Sequence, residues 1–321
     1  MTSTQLVVAE GGQDAAAEAH DLVTRIRGAH EIGPAAVASA VRDLGLEPMD
    51  GARNNRVYRQ MDPGGAGQCV KIYKVDDRRR LEREWNALTL LAGHGVQGVP
   101  RPLWCAEHPH LPIMGMTLLP GTQVADLVDP APALAALPDL MRQIQQAPLS
   151  VFRQLERVDS ATHYVHRITR VWPEQLLRHE QDDLTREMRE LLRWWRGTDD
   201  ADLACEWAPR VLSRGDSNLL NWLWDGHRIG VVDFEFCGYA DRVFDAADLV
   251  EHISAGPIED AAWEPLVADL GLTSRERRRY LAARRTCAMR WLAVLWKHRE
   301  DRLHDFARQR ERVRALRAMP A

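Results

Sequence analysis

Hydrophobic and polar positions change rhythm along this chain, and the change divides it. Up to about residue 118 short alternating or apolar runs dominate; beyond it, apolar residues recur at helical spacing. Cys69-Val70-Lys71-Ile72-Tyr73 alternates, predicting a strand with Lys71 on the face opposite Val70 and Ile72. Leu81, Glu84, Leu88 and Leu91 then share one face of a predicted helix. Leu111 to Leu119 reads as an apolar strand closed by Pro120-Gly121. Helices are predicted over 132–146, over 150–177 with a break near Pro173, and over 183–196, 243–253, 259–270 and 274–317. Two short apolar strands, Trp222 to Trp224 and Ile229 to Val232, interrupt this helical half, joined by an Asp225-Gly226 turn.

That hairpin carries the candidate chemistry. It follows Arg214-Gly215-Asp216-Ser217-Asn218-Leu219-Leu220-Asn221 and ends in Asp233-Phe234-Glu235. By folding back on itself it brings Asp233 towards Asn221, with Asp216 on the loop leading in. Two carboxylates and a carboxamide so placed suit kinase-type phosphoryl transfer. One carboxylate orients the attacking hydroxyl and takes its proton; the amide and the second carboxylate hold magnesium. Upstream, Glu84 is an acid on an apolar stripe, costly unless a cation meets it, and Lys71 is the partner available. Glu82 falls on another face and reads as exposed.

The catalytic segment resembles the aminoglycoside phosphotransferase and choline kinase superfamily, whose pattern is H-G-D-x-x-x-x-N, a hydrophobic strand and D-[FW]-E. Arg214-Gly215-Asp216 to Asn221 and Val231-Val232-Asp233-Phe234-Glu235 match it, with Arg214 where the family usually has histidine. The resemblance implies an α+β, bilobal, protein-kinase-like fold: a small β-rich N-lobe over 31–118 and a large, mostly helical C-lobe over 119–321, after a mobile tail over 1–30. It implies ATP as phosphoryl donor, with GTP left open, and magnesium held by Asn221 and Asp233. Asp216 would be catalytic, and Lys71, fixed by Glu84, would hold the α- and β-phosphates. Gly51, Asn54 and Asn55 fall where a loop would cover the phosphates, and Met116 and Leu118 where a hinge would meet the adenine edge. Asp245 takes the place of a structural acid. Asp248, Glu251 and His252 follow at one-turn spacing and could line a pocket for a cationic acceptor, or form a solvated face.

Composition narrows this without changing it. The chain has 321 residues, 45% of them hydrophobic, enough for two lobes with separate cores. It contains no apolar run approaching the roughly 20 residues that span a bilayer. The segment Met1 to His20 lacks the basic and apolar parts of a secretion signal, so a cytoplasmic location is expected. Cys69, Cys105, Cys205, Cys237 and Cys287 are scattered, which fits neither a disulfide framework nor a zinc site. Net charge is −4, yet residues 275–317 hold 15 Lys or Arg against five acids. Leu281, Trp291, Leu295, Trp296 and Leu303 are interleaved there, which favours a packed pair of amphipathic helices over a nucleic-acid surface. Nine of the 11 tryptophans lie from Trp172 onward, mostly at packing positions. The expected activity is transfer of the γ-phosphate to a hydroxyl of a small polar molecule, an aminoglycoside-like antibiotic or a metabolite. Alternatives are a choline, sugar or nucleoside kinase of the same superfamily, and a regulatory nucleotide-binding pseudokinase. Oligomeric state is left open.

Overall fold

The computed structural model describes residues 6–9, 13–49, 55–61, 67–179 and 182–320, and the chain divides into two compact units. The first comprises Met1–Gly121 together with Gly230–Phe236, and the second Thr122–Ile229 with Cys237–Ala321.

In the first unit the elements are β1 (Leu6–Val8), α1 (Gln13–Ile32), α2 (Pro34–Asp43), β2 (Glu47–Pro48), β3 (Arg56–Met61), β4 (Gly67–Ile72), α3 (Arg80–Gly93), β5 (Pro102–Ala106) and β6 (Ile113–Thr117). The strands form one antiparallel sheet in the order β1-β5-β6-β4-β3-β2. Alternation on β4 decides its two faces as expected. Val70 and Ile72 join a core with Tyr58, Trp104 and Ile113, roofed by Leu22, Val23 and Ile26 of α1 and Val37 and Val41 of α2. Lys71 takes the other face, paired in register with Val57 and Met114. Gly115 stands opposite Trp104, whose ring would lie 2.3 Å from any Cβ added there, so the close approach requires glycine. On α3, Leu81, Glu84, Leu88 and Leu91 are all buried, and Glu82 is half-exposed beside Arg79.

Within the stretch 1–30, expected as a mobile tail, the described residues contribute a strand and a helix to this unit. Leu6–Val8 pairs with β5, and Ala19, Leu22, Val23, Ile26 and Ala29 recur at helical spacing and are buried. Alanine supplies both ends of that stripe, Ala19 and Ala29, and its weak hydropathy shortens the visible period to Leu22, Val23 and Ile26.

The second unit contains β7 (Thr122–Gln123), α4 (Ala131–Gln146), α5 (Ala161–His166), α6 (Trp172–Leu177), α7 (Asp183–Arg196), α8 (Asp200–Ala204), β8 (Val211–Ser213), β9 (Trp222–Trp224), the start of β10 (Ile229–Val231), β11 (Gly238–Ala240), α9 (Arg242–Glu251), α10 (Glu264–Asp269), α11 (Ser274–Lys297) and α12 (Leu303–Ala318). Trp172, Met188, Leu191, Trp195, Leu292, Trp296, Phe306 and Val313 form its core, so these tryptophans serve packing. The single helix expected from 150 starts instead at Ala161, after a short turn over Ser150–Phe152. A π turn over Arg167–Val171 precedes Pro173, and the Thr169 carbonyl, which proline cannot bond, accepts from Arg196. The basic stretch is a helical pair, but not every arginine faces outward. Buried Arg285 donates to the carbonyls of Leu316 and Met319 and so holds the end of α12 to α11. No helix among the described residues is long and apolar enough to cross a membrane.

Ile26→Ala should lower the unfolding free energy by about 2–5 kcal/mol in urea titrations, as a core truncation does. A change within about 0.5 kcal/mol, the range of surface substitutions, would return this segment to the status of a tail.

Candidate functional site

In the first unit one ammonium gathers three carboxylates. Lys71 Nζ lies 2.7 Å from Glu84 Oε2, 2.6 Å from Asp233 Oδ1 and 3.4 Å from Glu235 Oε2. Burial works against the lysine's charge, but Asp233, Glu84 and Glu235 outweigh it and hold its pKa well above the ordinary value. Glu84 is fixed at both oxygens: the Tyr73 hydroxyl donates to Oε2 at 2.7 Å and the Phe234 amide to Oε1 at 3.0 Å. Burial, then Glu84, pushes the Tyr73 phenol well up, so it remains a donor. Glu235 accepts from Asn55 and from Arg80, and Arg80 also holds Asp76 and lies over the Phe236 ring. Burial raises the Glu235 pKa, with Lys71 opposing. Asp233 has φ +69°, a left-handed backbone rarely adopted by a residue with a side chain. Its side chain is 28% exposed, whereas those of Lys71, Glu84 and Glu235 are almost inaccessible.

Glu84, Asp233 and Glu235 bring oxygen atoms within 4.8 Å of one another, a spacing that could suit a metal ion. Here Lys71 already contacts all three and Arg80 neutralises Glu235, so the cluster is a seat for lysine. The Asp233 carboxylate is its most accessible member.

In the second unit β8 and β11 pair antiparallel, with Ser213 opposite Gly238, and deliver the chain to the loop at Arg214. Gly215, at φ +83°, turns it. Asp216 Oδ1 accepts from the Asn218 amide at 3.1 Å, and Oδ2 accepts from Asn221 Nδ2 at 2.7 Å. The carboxamide nitrogen of Asn221 is thereby committed to Asp216. Asn221's own amide closes on the Asn218 carbonyl, and the Leu219 amide donates to Ser254 Oγ at 2.8 Å. Arg214 is buried, with Nη1 3.8 Å from Asp216 and its guanidinium 5.9 Å from the Trp222 ring centre. The Asp225-Gly226 turn forms as read, Asp225 accepting from the His227 and Arg228 amides.

The remaining expected positions fare differently. Gly51 and Asn54 lie outside the described residues. Asn55 bonds the Lys74 amide and Glu235, a bracing role that the sequence did not suggest. Met116 is buried in β6, and the Leu118 amide is spent on the Gly67 carbonyl at 3.0 Å. The expectation of a solvated face for Asp248 and Glu251 is corrected, because α9 is buried from Val243 to Glu251 and both acids are met by other side chains. Asp248 is bound by Arg157 at 2.5 Å and Ser217 at 2.7 Å, and Glu251 by Arg284 at 2.7 Å and Arg312 at 2.8 Å. His252 packs against Trp291, ring centres 4.4 Å apart, with Nδ1 2.7 Å from Ser254 Oγ. Burial pushes its pKa down to about 4. Tyr73, Arg80 and Arg157 went unrecognised as site residues. Glu235 was legible as the last acid of D-F-E; Arg157 sits in a loop with no pattern to mark it. The five cysteines are free.

Solved structures place the architecture. A choline/ethanolamine kinase family protein from Mesorhizobium loti is similar with a TM-score of 0.60 at 20% identity, over 86% of this chain and 88% of that one. A thermostable variant of aminoglycoside phosphotransferase APH(4)-Ia, in ternary complex with AMP-PNP and hygromycin B, gives 0.60 at 18%, over 87% and 97%. Spectinomycin phosphotransferase APH(9)-Ia, with ADP and spectinomycin, gives 0.56 at 14%, over 84% and 88%. The fold is therefore kinase-like α+β, as expected. By sequence, a model of the phosphotransferase enzyme family matches residues 45–281, and the chain belongs to that family. No curated protein matches the sequence.

Lys71→Met would leave Glu84, Asp233 and Glu235 without their shared cation. Its expected effect is a loss of about 3–5 kcal/mol in urea unfolding at neutral pH. A neutral outcome would show that the lysine is dispensable to this unit. His252 gives a second check. With a pKa depressed from 6.5 to about 4, its contribution is full above pH 6.5 and is lost as pH falls towards 4, because the unfolded chain takes the proton first. The difference in unfolding free energy between wild type and His252→Gln should change across that window, and a constant difference would show that His252 does not titrate there.

Proposed function

We propose that this protein transfers the γ-phosphoryl group of ATP to a hydroxyl of a small polar molecule. The observation that carries the reading is the locked Asp216–Asn221 pair, in a chain that also holds a carboxylate-caged lysine. A phosphoryl group needs little covalent help, so positioning and charge supply most of the rate.

Each residue has a task in that reaction. Asp216, its carboxylate fixed by Asn221 and by the Asn218 amide, orients the acceptor hydroxyl and takes its proton. Lys71, kept protonated by its three acids, meets the α- and β-phosphates, and Glu84, held by Tyr73 and Phe234, keeps the lysine's direction. The oxygen of Asn221 and the accessible carboxylate of Asp233 are each a hard donor of the kind magnesium takes, and each would serve as a ligand for it. Magnesium, when bound, would neutralise phosphate oxygens. No covalent enzyme intermediate is required.

Support for a nucleotide donor comes from the AMP-PNP and ADP complexes of the similar structures, and for a small hydroxylated acceptor from hygromycin B and spectinomycin. The choline/ethanolamine kinase relative widens the acceptor class to amino alcohols. The test is a screen of hydroxylated antibiotics and metabolites for phosphate transfer from labelled ATP, run beside Asp216→Asn. Turnover with at least one acceptor class is expected, falling about 10²- to 10⁴-fold in the variant. Equal turnover by both proteins would remove Asp216 from its role; no turnover by the wild type would defeat the proposal.

A further inference from the structure

Arg157 lies between the Ser150–Phe152 turn and α5, and only 3% of it is exposed. Its guanidinium makes three bonds: Nη1 donates to Asp245 Oδ1 at 2.7 Å, while Nη2 donates to Asp248 Oδ2 at 2.5 Å and to the Gly215 carbonyl at 3.1 Å. Both acids reach the same loop again. Ser213 Oγ donates to Asp245 Oδ1 at 2.7 Å and accepts from the Gly215 amide at 3.1 Å; Ser217 Oγ donates to Asp248 Oδ2 at 2.7 Å. Residues 213, 215 and 217, flanking Asp216 and its neighbour Arg214, are therefore tied to one arginine directly or through one acid.

The arginine's own backbone is pinned as well. Its amide donates to the Tyr239 carbonyl at 3.1 Å, the Tyr239 amide donates to Leu155 at 2.8 Å, and a Cβ at Gly238 would lie 2.4 Å from the Arg157 nitrogen. Neutralising two buried acids needs only positive charge. A bond to the carbonyl of the residue before Asp216 goes beyond that need, and it requires a planar fork that addresses three acceptors at once.

We propose that Arg157 is a positioning residue for phosphoryl transfer, fixing the Gly215 peptide and through it the carboxylate of Asp216. The inference rests on the phosphotransferase reading and deepens it. Arg157→Lys tests it, since lysine keeps the charge and loses the fork. The variant is expected to fold. Its amides over 213–221 should exchange hydrogen about tenfold faster than those of the wild type, and its kcat should fall about tenfold or more with the nucleotide KM within about twofold, because misplacement acts on chemistry rather than binding. Wild-type loop exchange and kcat would overturn the proposal, as would a fall in kcat with no change in loop exchange. Should the wild type transfer phosphate to no acceptor, the phosphotransferase reading fails, and the exchange comparison alone decides the clamp. If Arg157→Lys does not fold, Ser213→Ala, which deletes the hydroxyl between Asp245 and the Gly215 amide, carries the same expectations and the same refutations.

Discussion

A buried ammonium is the constraint that organises the first unit. Lys71 sits on the sheet face opposite the apolar core, where an unpaired charge would cost several kcal/mol. Its compensation comes from two stretches: Glu84 nearby on α3, and Asp233 with Glu235 from a segment some 160 residues further along. This electrostatic need helps explain why Gly230–Phe236 belongs with the first 121 residues rather than with its chain neighbours. The backbone adds two ties, Val231 to the Gly98 carbonyl at 2.8 Å and Phe234 to Glu84 at 3.0 Å. Three acids then need a second cation, and Arg80, at the start of α3, supplies it by holding Glu235 and Asp76 together. One lysine thus fixes the relation of strand, helix and the D-F-E segment.

The second unit solves a related problem with arginine. Asp245, Asp248 and Glu251 recur along α9, a helix with no solvent face, and each is met by a guanidinium from another element. Such sets add little net stability, because desolvation offsets most of the attraction. What they add is direction. A guanidinium bonds in a plane at fixed angles, so an acid on α9 can dictate where a loop carbonyl lies. Hydrophobic packing around Trp172, Trp195 and Trp296 has no comparable directional control and leaves the loop's angles to the polar network.

How much of this the sequence revealed follows from how local each interaction is. The Asp225-Gly226 turn and Lys71 followed by Glu84 on an apolar stripe lie within short windows, and each appears in the structure as read; the Asp216 to Asn221 spacing is as local, and the structure bonds the two side chains to each other. Glu235's partners do not lie within such a window, since Arg80 is 155 residues away. The α9 acids failed for the same reason. One-turn spacing of acids reads alike whether water or arginine meets them, and Arg284 and Arg312 lie 33 and 61 residues on. Helix α1 escaped because alanine stands at both ends of its buried stripe and leaves only Leu22, Val23 and Ile26 to mark the period, and Arg157 because loops have no period.

The departure at Arg214 takes its meaning from this polar network. Where the resembled family carries histidine, a side chain that titrates near neutrality would stand beside the catalytic loop. Arginine replaces it with a permanent charge, 3.8 Å from the Asp216 carboxylate and stacked towards Trp222. That charge does not change between pH 5 and 8, because a guanidinium keeps its proton. A longer, charged residue also needs burial that tolerates it, and Trp222 offers an aromatic face for that purpose. Arg214 thus stands beside the Asp216 carboxylate, which Asn221 and the Asn218 amide hold, and Arg157 bonds the carbonyl of the residue before it. Phosphoryl transfer depends chiefly on placement, so a chain that exchanges histidine for arginine at this position can keep the requirement while changing the means.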